Sequence, residues 1–155
     1  MEIKTNVMRT LDRMKIPYRS YDYSSTQAVS GIEVANVLNQ DPARVFKTLV
    51  TVGKSKKYYV FVIPVAQELN LKKAAEFRGE KSIEMVKSKD LLPLTGYVHG
   101  GCSPIGMKKF FPTAIDKSAL NFDTIIFSAG KIGYQVELSP ADLAKVIEYQ
   151  PADLV

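Results

Sequence analysis

Apolar residues recur at Ile3, Val7, Met8, Leu11 and Met14, the spacing of one helical stripe, and Pro17 closes that segment. Tyr18–Tyr23 alternates as a strand does, and the polar run Ser24–Gln27 reads as a loop. Ser30 followed three residues later by Glu33 has the form of a capping box, which predicts a helix over 31–39; Asp41-Pro42 opens a further helical turn. Residues 45–52 and 57–64 are rich in β-branched and aromatic side chains and predict two strands joined by a turn at Gly53-Lys-Ser-Lys56. Asn70, or the residue before it, starts a helix over 71–78 with Leu71, Ala74 and Ala75 on its apolar face. Ser82–Val86 reads as a short strand, Ser88 as the cap of a helix over 89–94, and Tyr97-Val98 as strand-like. Strands follow near 113–115, at 124–128 and at 134–138, and Ser139-Pro140 opens a last helix over 140–148.

Strands outnumber helices, and their irregular order excludes a strict βαβ repeat. The pattern predicts one α/β domain spanning residues 1–155, a curved mixed sheet or partial barrel surrounded by helices. At 155 residues, with 46% hydrophobic and 24% charged side chains, the chain has the composition of a soluble protein with one good core. No apolar run reaches membrane-spanning length, and Met-Glu-Ile-Lys-Thr-Asn lacks a signal-peptide core, so a cytoplasmic location is expected. A lone cysteine, Cys102, forbids an internal disulfide, and with His99 as the single histidine no zinc cluster can form. Neither a metal nor an organic cofactor is indicated.

Charge changes the picture further. Residues 1–78 carry 13 basic against 7 acidic side chains, whereas residues 79–155 carry 8 against 9. The excess includes Lys54, Lys56, Lys57, Lys72, Lys73 and Arg78, a bias that suits a polyanion as well as simple solubility.

Two features stand out as candidate chemistry. Lys47 lies in a β-rich run, sharing a face with Val45 and Leu49; a lysine there either meets an anion in a cleft or reaches water at an edge. Gly100-Gly-Cys-Ser-Pro104 sets adjacent glycines before a proline, forming either a sharp turn or a loop whose backbone a ligand can approach. No Ser-His-Asp constellation is present. Cys102 reads as a small buried hydrophobe rather than a nucleophile, and His99 as a surface or wall residue.

The strand Phe46-Lys-Thr-Leu49, Leu69-Asn-Leu-Lys-Lys-Ala-Ala75, Thr95-Gly-Tyr97, Gly100-Gly-Cys-Ser-Pro-Ile-Gly106 and Glu137-Leu-Ser-Pro-Ala-Asp-Leu-Ala144 occur in that order. Together they resemble the YbaK/EbsC family of trans-editing aminoacyl-tRNA deacylases, over nearly the whole chain. The resemblance implies hydrolysis of the ester of a mischarged tRNA, most closely Cys-tRNA(Pro), in a relative of the editing domain of prolyl-tRNA synthetase. It implies the acceptor end of tRNA(Pro) as partner, with prolyl-tRNA synthetase nearby, and no membrane. It assigns Lys47 and Gly100 to the catalytic site and Tyr21, Thr48, Gly101, Ser103, Pro104, Ser128 and Gln135 to substrate contact. For a cysteinyl substrate the substrate's own thiol would attack. Gln135 departs from the Asp or Ser common in the family, which keeps a non-catalytic binding module of the same fold as the alternative.

Overall fold

A computed structural model describes residues 3–155; Met1 and Glu2, the first residues of the N-terminal stretch considered above, lie outside them. The first helix, α1 (Asn6–Arg13), starts at Thr5, whose hydroxyl accepts the Met8 N–H. It buries Val7, Met8 and Leu11, while Ile3 and Met14 fall outside it and are exposed. The helix stops before Pro17 matters. Lys15 turns left-handed (φ 58°), and the Lys15 and Ile16 amides bond back to the Asp12 and Leu11 carbonyls.

Strand β1 (Arg19–Asp22) leads to α2 (Gly31–Val37), where the capping box of Ser30 and Glu33 forms in full. Gly31 lets the start of α2 press on the strand behind it, since a Cβ there would sit 2.2 Å from Val65 Cγ1. The same left-handed ending recurs at Asn39 (φ 54°), with the Gln40 N–H bonded to the Ala35 carbonyl, so the chain turns sharply and delivers Gln40 beneath the sheet.

After a 3₁₀ turn (Pro42–Arg44) come β2 (Phe46–Gly53), β3 (Tyr58–Pro64), α3 (Leu71–Arg78), β4 (Ile83–Met85) and α4 (Ser88–Thr95). Ser88 is the first residue of α4 rather than its cap: Lys87 holds the cap position and gives no side-chain bond. Tyr97-Val98 forms no strand, because the Tyr97 hydroxyl is drawn inward to donate to the Ile105 carbonyl at 2.5 Å. The rest is β5 (Thr113–Asp116), a 3₁₀ turn (Lys117–Asn121), β6 (Ile125–Ser128), β7 (Tyr134–Leu138), α5 (Pro140–Val146) and β8 (Gln150–Ala152).

The fold is the mixed α/β arrangement expected, a curved mixed sheet or partial barrel among helices, with its strands divided between two sheets that do not close into a barrel. The larger has the order β4-β2-β3-β5-β8, antiparallel across β2 and parallel at β3-β5 and β5-β8; the smaller, β1-β7-β6, is antiparallel throughout. Pro151 is tolerated because β8 is an edge strand. One face of β2-β3 (Phe46, Val50, Val60, Val62) packs on Phe127, Val136 and the α1 stripe; the other carries Phe61 and Ile63 against Ala74 and Ala75 of α3. Each large side chain buried this way contributes about 1.5–3 kcal/mol.

On the smaller sheet, Glu137 is the hub of a polar cluster, on the same face as Gln135 two residues before it. It accepts from the Tyr21 hydroxyl, from the Thr124 hydroxyl at 2.5 Å and from Arg44 Nη2 at 2.8 Å. Burial pushes its carboxyl up, but the Thr124 and Tyr21 hydrogen bonds and the Arg44 charge outweigh that and hold it below 4.5. A depressed carboxylate contributes stability above its unfolded pKa and loses it on acidification. Urea unfolding is therefore expected to show stability falling as pH drops below about 4.5, with Glu137→Ala costing about 2–3 kcal/mol at neutral pH and flattening that acid limb. An unchanged limb would show that Glu137 is not its source.

Candidate active site

A cavity of about 760 Å³ opens where the two sheets part. Its walls come from β2, the start of α2, the Gly100 loop and the ends of β6 and β7, including Lys47, Thr48, Gly100, Ser128 and Gln135. Five of the nine residues singled out from sequence thus share one cavity.

The other four lie outside its lining. Tyr21 is partly buried, packs its ring against Ala35, Val45, Val65 and Ile126 and donates its hydroxyl to Glu137. Gly101 is buried, with its N–H bonded to the Val98 carbonyl at 3.0 Å. Ser103 is fully buried and accepts the Ile105 N–H at 3.3 Å; Pro104 is buried beside it. These three shape the loop from behind. Gly100 alone of the loop's candidates faces the cavity, at φ +89°, a conformation that strains any side-chain-bearing residue.

Lys47 is half-buried, and burial lowers its pKa against the opposing pull of Glu68. Among the described residues no carboxylate reaches salt-bridge distance of its ammonium. Such a cation is ready for an incoming anion. Ser128 Oγ accepts the Gly130 N–H at 3.1 Å, which leaves its hydroxyl proton free to donate. Gln135 is 5% exposed, and its Oε1 accepts from Gln40 Nε2 at 2.9 Å. With that oxygen engaged, the Gln135 NH₂ remains as a donor. Gln40 has no signal in the sequence beyond its position after α2, and only the turn at Asn39 reveals it. The polar lining thus holds three donors, an ammonium, a hydroxyl and an amide, together with the Glu33 carboxylate, which accepts the Ser30 N–H at 3.1 Å in the α2 cap.

Glu33 is tied into its helix cap, and neither of the other reactive side chains of the lining is set up as a nucleophile or base beside Gly100. Cys102 lines the cavity at 8% exposure, and burial pushes its thiol up to about 12, against a weak counter-effect from Thr95. A thiol so protonated is no nucleophile at neutral pH. His99 is exposed at the rim. The described residues include no metal-binding cluster, and no helix is long and apolar enough to cross a membrane.

A profile of the aminoacyl-tRNA editing domain matches residues 26–146. The chain belongs to the aminoacyl-tRNA editing domain family. Within it, this editing domain is 47% identical over 152 residues to an Enterococcus faecalis protein, EbsC, named as a candidate Cys-tRNA(Pro)/Cys-tRNA(Cys) deacylase; the match covers 97% of this chain and 93% of the relative. The fold also matches the crystal structure of a candidate trans-editing enzyme for prolyl-tRNA synthetase (TM-score 0.80, 22% identity, 98% of each chain). A hypothetical protein of solved structure superposes with TM-score 0.87 at 21% identity, over 97% of this chain and 99% of that one.

The protonated state of Cys102 in this editing domain can be checked directly. Native protein at pH 8 is expected to resist iodoacetamide, while urea-unfolded protein is alkylated at the rate of a free thiol. Because its folded pKa lies above the ordinary 9.0, the stability it contributes is complete below about pH 9 and is lost as pH climbs toward 12. Rapid alkylation of the folded protein would overturn this assignment.

Proposed function

We propose that this protein hydrolyses the ester of mischarged aminoacyl-tRNA, that its substrate is Cys-tRNA(Pro), and that the acceptor end enters the cavity between Lys47 and Gly100. One observation carries the reading: Lys47, Ser128 and Gln135 offer donors to the cavity, the Cys102 thiol stays protonated, and the lining carboxylate, Glu33, is engaged in the α2 capping box. Donors fixed in place stabilise the oxyanion that develops on an ester carbonyl, but they cannot draw a proton from water. The nucleophile must then come with the substrate, and cysteine brings one, a thiol with an ordinary pKa near about 8.5.

In this reading the cysteinyl sulfur bonds to its own ester carbonyl carbon while Gly100, Ser128 and Gln135 take up the developing negative charge. The carbon–oxygen bond to the ribose breaks, and the ribose oxygen leaves with the thiol's proton. Water then opens the thiolactone to free cysteine. The protein's part is positioning, which holds sulfur and carbonyl within reach. Lys47 meets a phosphate of the acceptor end as a point charge, and the exposed lysines 54, 56 and 57 face the tRNA backbone in the cytoplasm, where tRNAs are charged. Selection of tRNA(Pro) rests on prolyl-tRNA synthetase held nearby.

Deacylation assays with Cys-tRNA(Pro) and Ala-tRNA(Pro) test this. Wild type is expected to release cysteine far faster than alanine. Lys47→Ala should lose about 10- to 100-fold in kcat/KM, the worth of one charge-assisted contact. Gly100→Ala should lose activity and cost about 1–3 kcal/mol of stability, because φ +89° strains any Cβ even though Val29 and Ile132 leave 3.5–3.7 Å of room, so its activity is read well below its melting temperature. Cys102→Ala should stay active. No ester loss above the buffer rate would reduce the protein to a binding module; equal rates on both substrates would remove the thiol from the mechanism.

A further inference from the structure

The mouth of the cavity is basic on one side only. Two of its walls, the start of α2 with the loop before it and the Gly100 loop, lack cations. Residues 20–43 and 96–107 contain no lysine or arginine, and the first of these stretches holds Asp22, Glu33 and Asp41. Lys131, whose backbone lies behind Gly101, holds its ammonium over the Tyr134 ring at 5.6 Å. The wall that differs is the connection from β4 to α4, where Met85, Val86, Ser88 and Leu91 line the cavity. Lys87 and Lys89 alternate with those residues and are exposed, which sets both at the rim. Among the described residues neither is in an ion pair, and Lys87 makes no capping bond to α4.

From that rim the cations continue along the sheet. The Val86 N–H bonds the Val50 carbonyl at 3.0 Å, β4 pairs with Thr51–Gly53, and the Lys54 N–H bonds the Ser82 carbonyl at 3.0 Å. Lys81 is thereby set beside the β2-β3 turn, which bears the exposed Lys54, Lys56 and Lys57. Six residues separate Lys81 from Lys87, a span of at most roughly 20 Å. Of the carboxylates on this line, Glu80 is occupied by the Ser55 N–H and the Tyr59 hydroxyl, while Glu84 and Asp90 are exposed. Lysines beside an edge strand are also an ordinary guard against strand addition. The other edge of this sheet is guarded differently: β8 carries Pro151 and is flanked by Glu148 and Asp153. Solubility alone would scatter cations around the whole mouth. Their confinement to one wall, continuous with the lysines beyond it, suits a chain of anions that begins inside the cavity.

We propose that the acceptor stem of the tRNA lies along β4, with phosphates of the entering strand on Lys87 and Lys89. Phosphates further along the stem meet Lys81 and the lysines of the β2-β3 turn. The inference rests on the deacylase reading and deepens it by giving the RNA one direction of approach. α2 and the Gly100 loop then meet no backbone charge. Phosphate contacts fix position and carry no sequence information, so this track holds any stem alike and leaves the choice of tRNA to a partner.

The test compares Lys87→Gln/Lys89→Gln with a control of equal charge change off this line, Lys117→Gln/Lys145→Gln, in full-length protein. Binding of uncharged tRNA(Pro) is followed from about 50 to about 200 mM KCl. Hydrolysis is measured on Cys-tRNA(Pro) and on cysteinyl-adenosine, which has no stem. The rim variant should bind tRNA about tenfold more weakly at the lower salt and flatten the slope of log K against log[salt] by about 1 per lysine. It should lose at least about tenfold more kcat/KM on Cys-tRNA(Pro) than on cysteinyl-adenosine, and the control should follow wild type. An unchanged slope, an equal change in the control, or equal losses on the two substrates overturns the proposal. Ester loss from wild-type protein in that case leaves the deacylase reading standing. The expected binding changes without any ester loss by wild type support the track and remove the enzyme. Polyglutamate that competes as well as an unacylated acceptor-stem hairpin would make this surface a dock for acidic proteins, and would also overturn the proposal.

Discussion

Among the described residues the two sheets are laddered together at one place, the bridge between Val45 and Ile126, and the geometry of the cavity follows from it. Twisted sheets joined at a single point diverge on either side of it. On one side the gap is filled by the core around Phe46, Phe127 and Val136; on the other, nothing pairs with β2 until Val86 and β4 meet it beyond Val50. The start of α2, held close by Gly31 against Val65, and the Gly100 loop wall the opening without filling it.

The smaller sheet sets what faces the opening. Register aligns Tyr21, Gln135 and Ser128 across β1, β7 and β6, so Gln135 and Ser128 arrive at the same height. The Glu137 cluster holds that sheet against the turn bearing Arg44, which runs directly into β2. A charged network thus stands beside the site on the same face of that sheet, fixing strand positions, with the Glu137 carboxylate engaged by Tyr21, Thr124 and Arg44.

Much of this was legible in the sequence where local chemistry and periodicity agree. The capping box at Ser30, the β2-β3 hairpin and helix α3 formed where the pattern put them. Lys47 was conspicuous because a lysine within a β-rich run has few explanations, and Gly100 because two adjacent glycines precede a proline. Failures came where tertiary contacts decide. Tyr97-Val98 had strand-like residues, but no strand lies beside them and the Tyr97 hydroxyl finds Ile105 instead. Strand β8 carries a proline that hid it, permitted by its place at an edge. Tyr21 looked like a cavity wall until register placed Glu137 within reach of its hydroxyl. The split into two sheets has no local signature, since residues 45–50 read as an ordinary strand whether or not their outer edge is paired.

An unpaired strand edge is ordinarily a hazard, since any other extended chain can zip onto it and seed aggregates. Proteins blunt such edges with charges, prolines or bulges. Here the open stretch of β2 is blunted by recession. It lies inside a pocket whose mouth is narrowed by α2 and the Gly100 loop, and it is only a few peptide groups long before β4 takes over. A compact ligand can enter, whereas a neighbouring protein's strand has too little length to grip. The same enclosure that shelters an ester from bulk water therefore also keeps an adhesive piece of backbone away from the crowd of other chains.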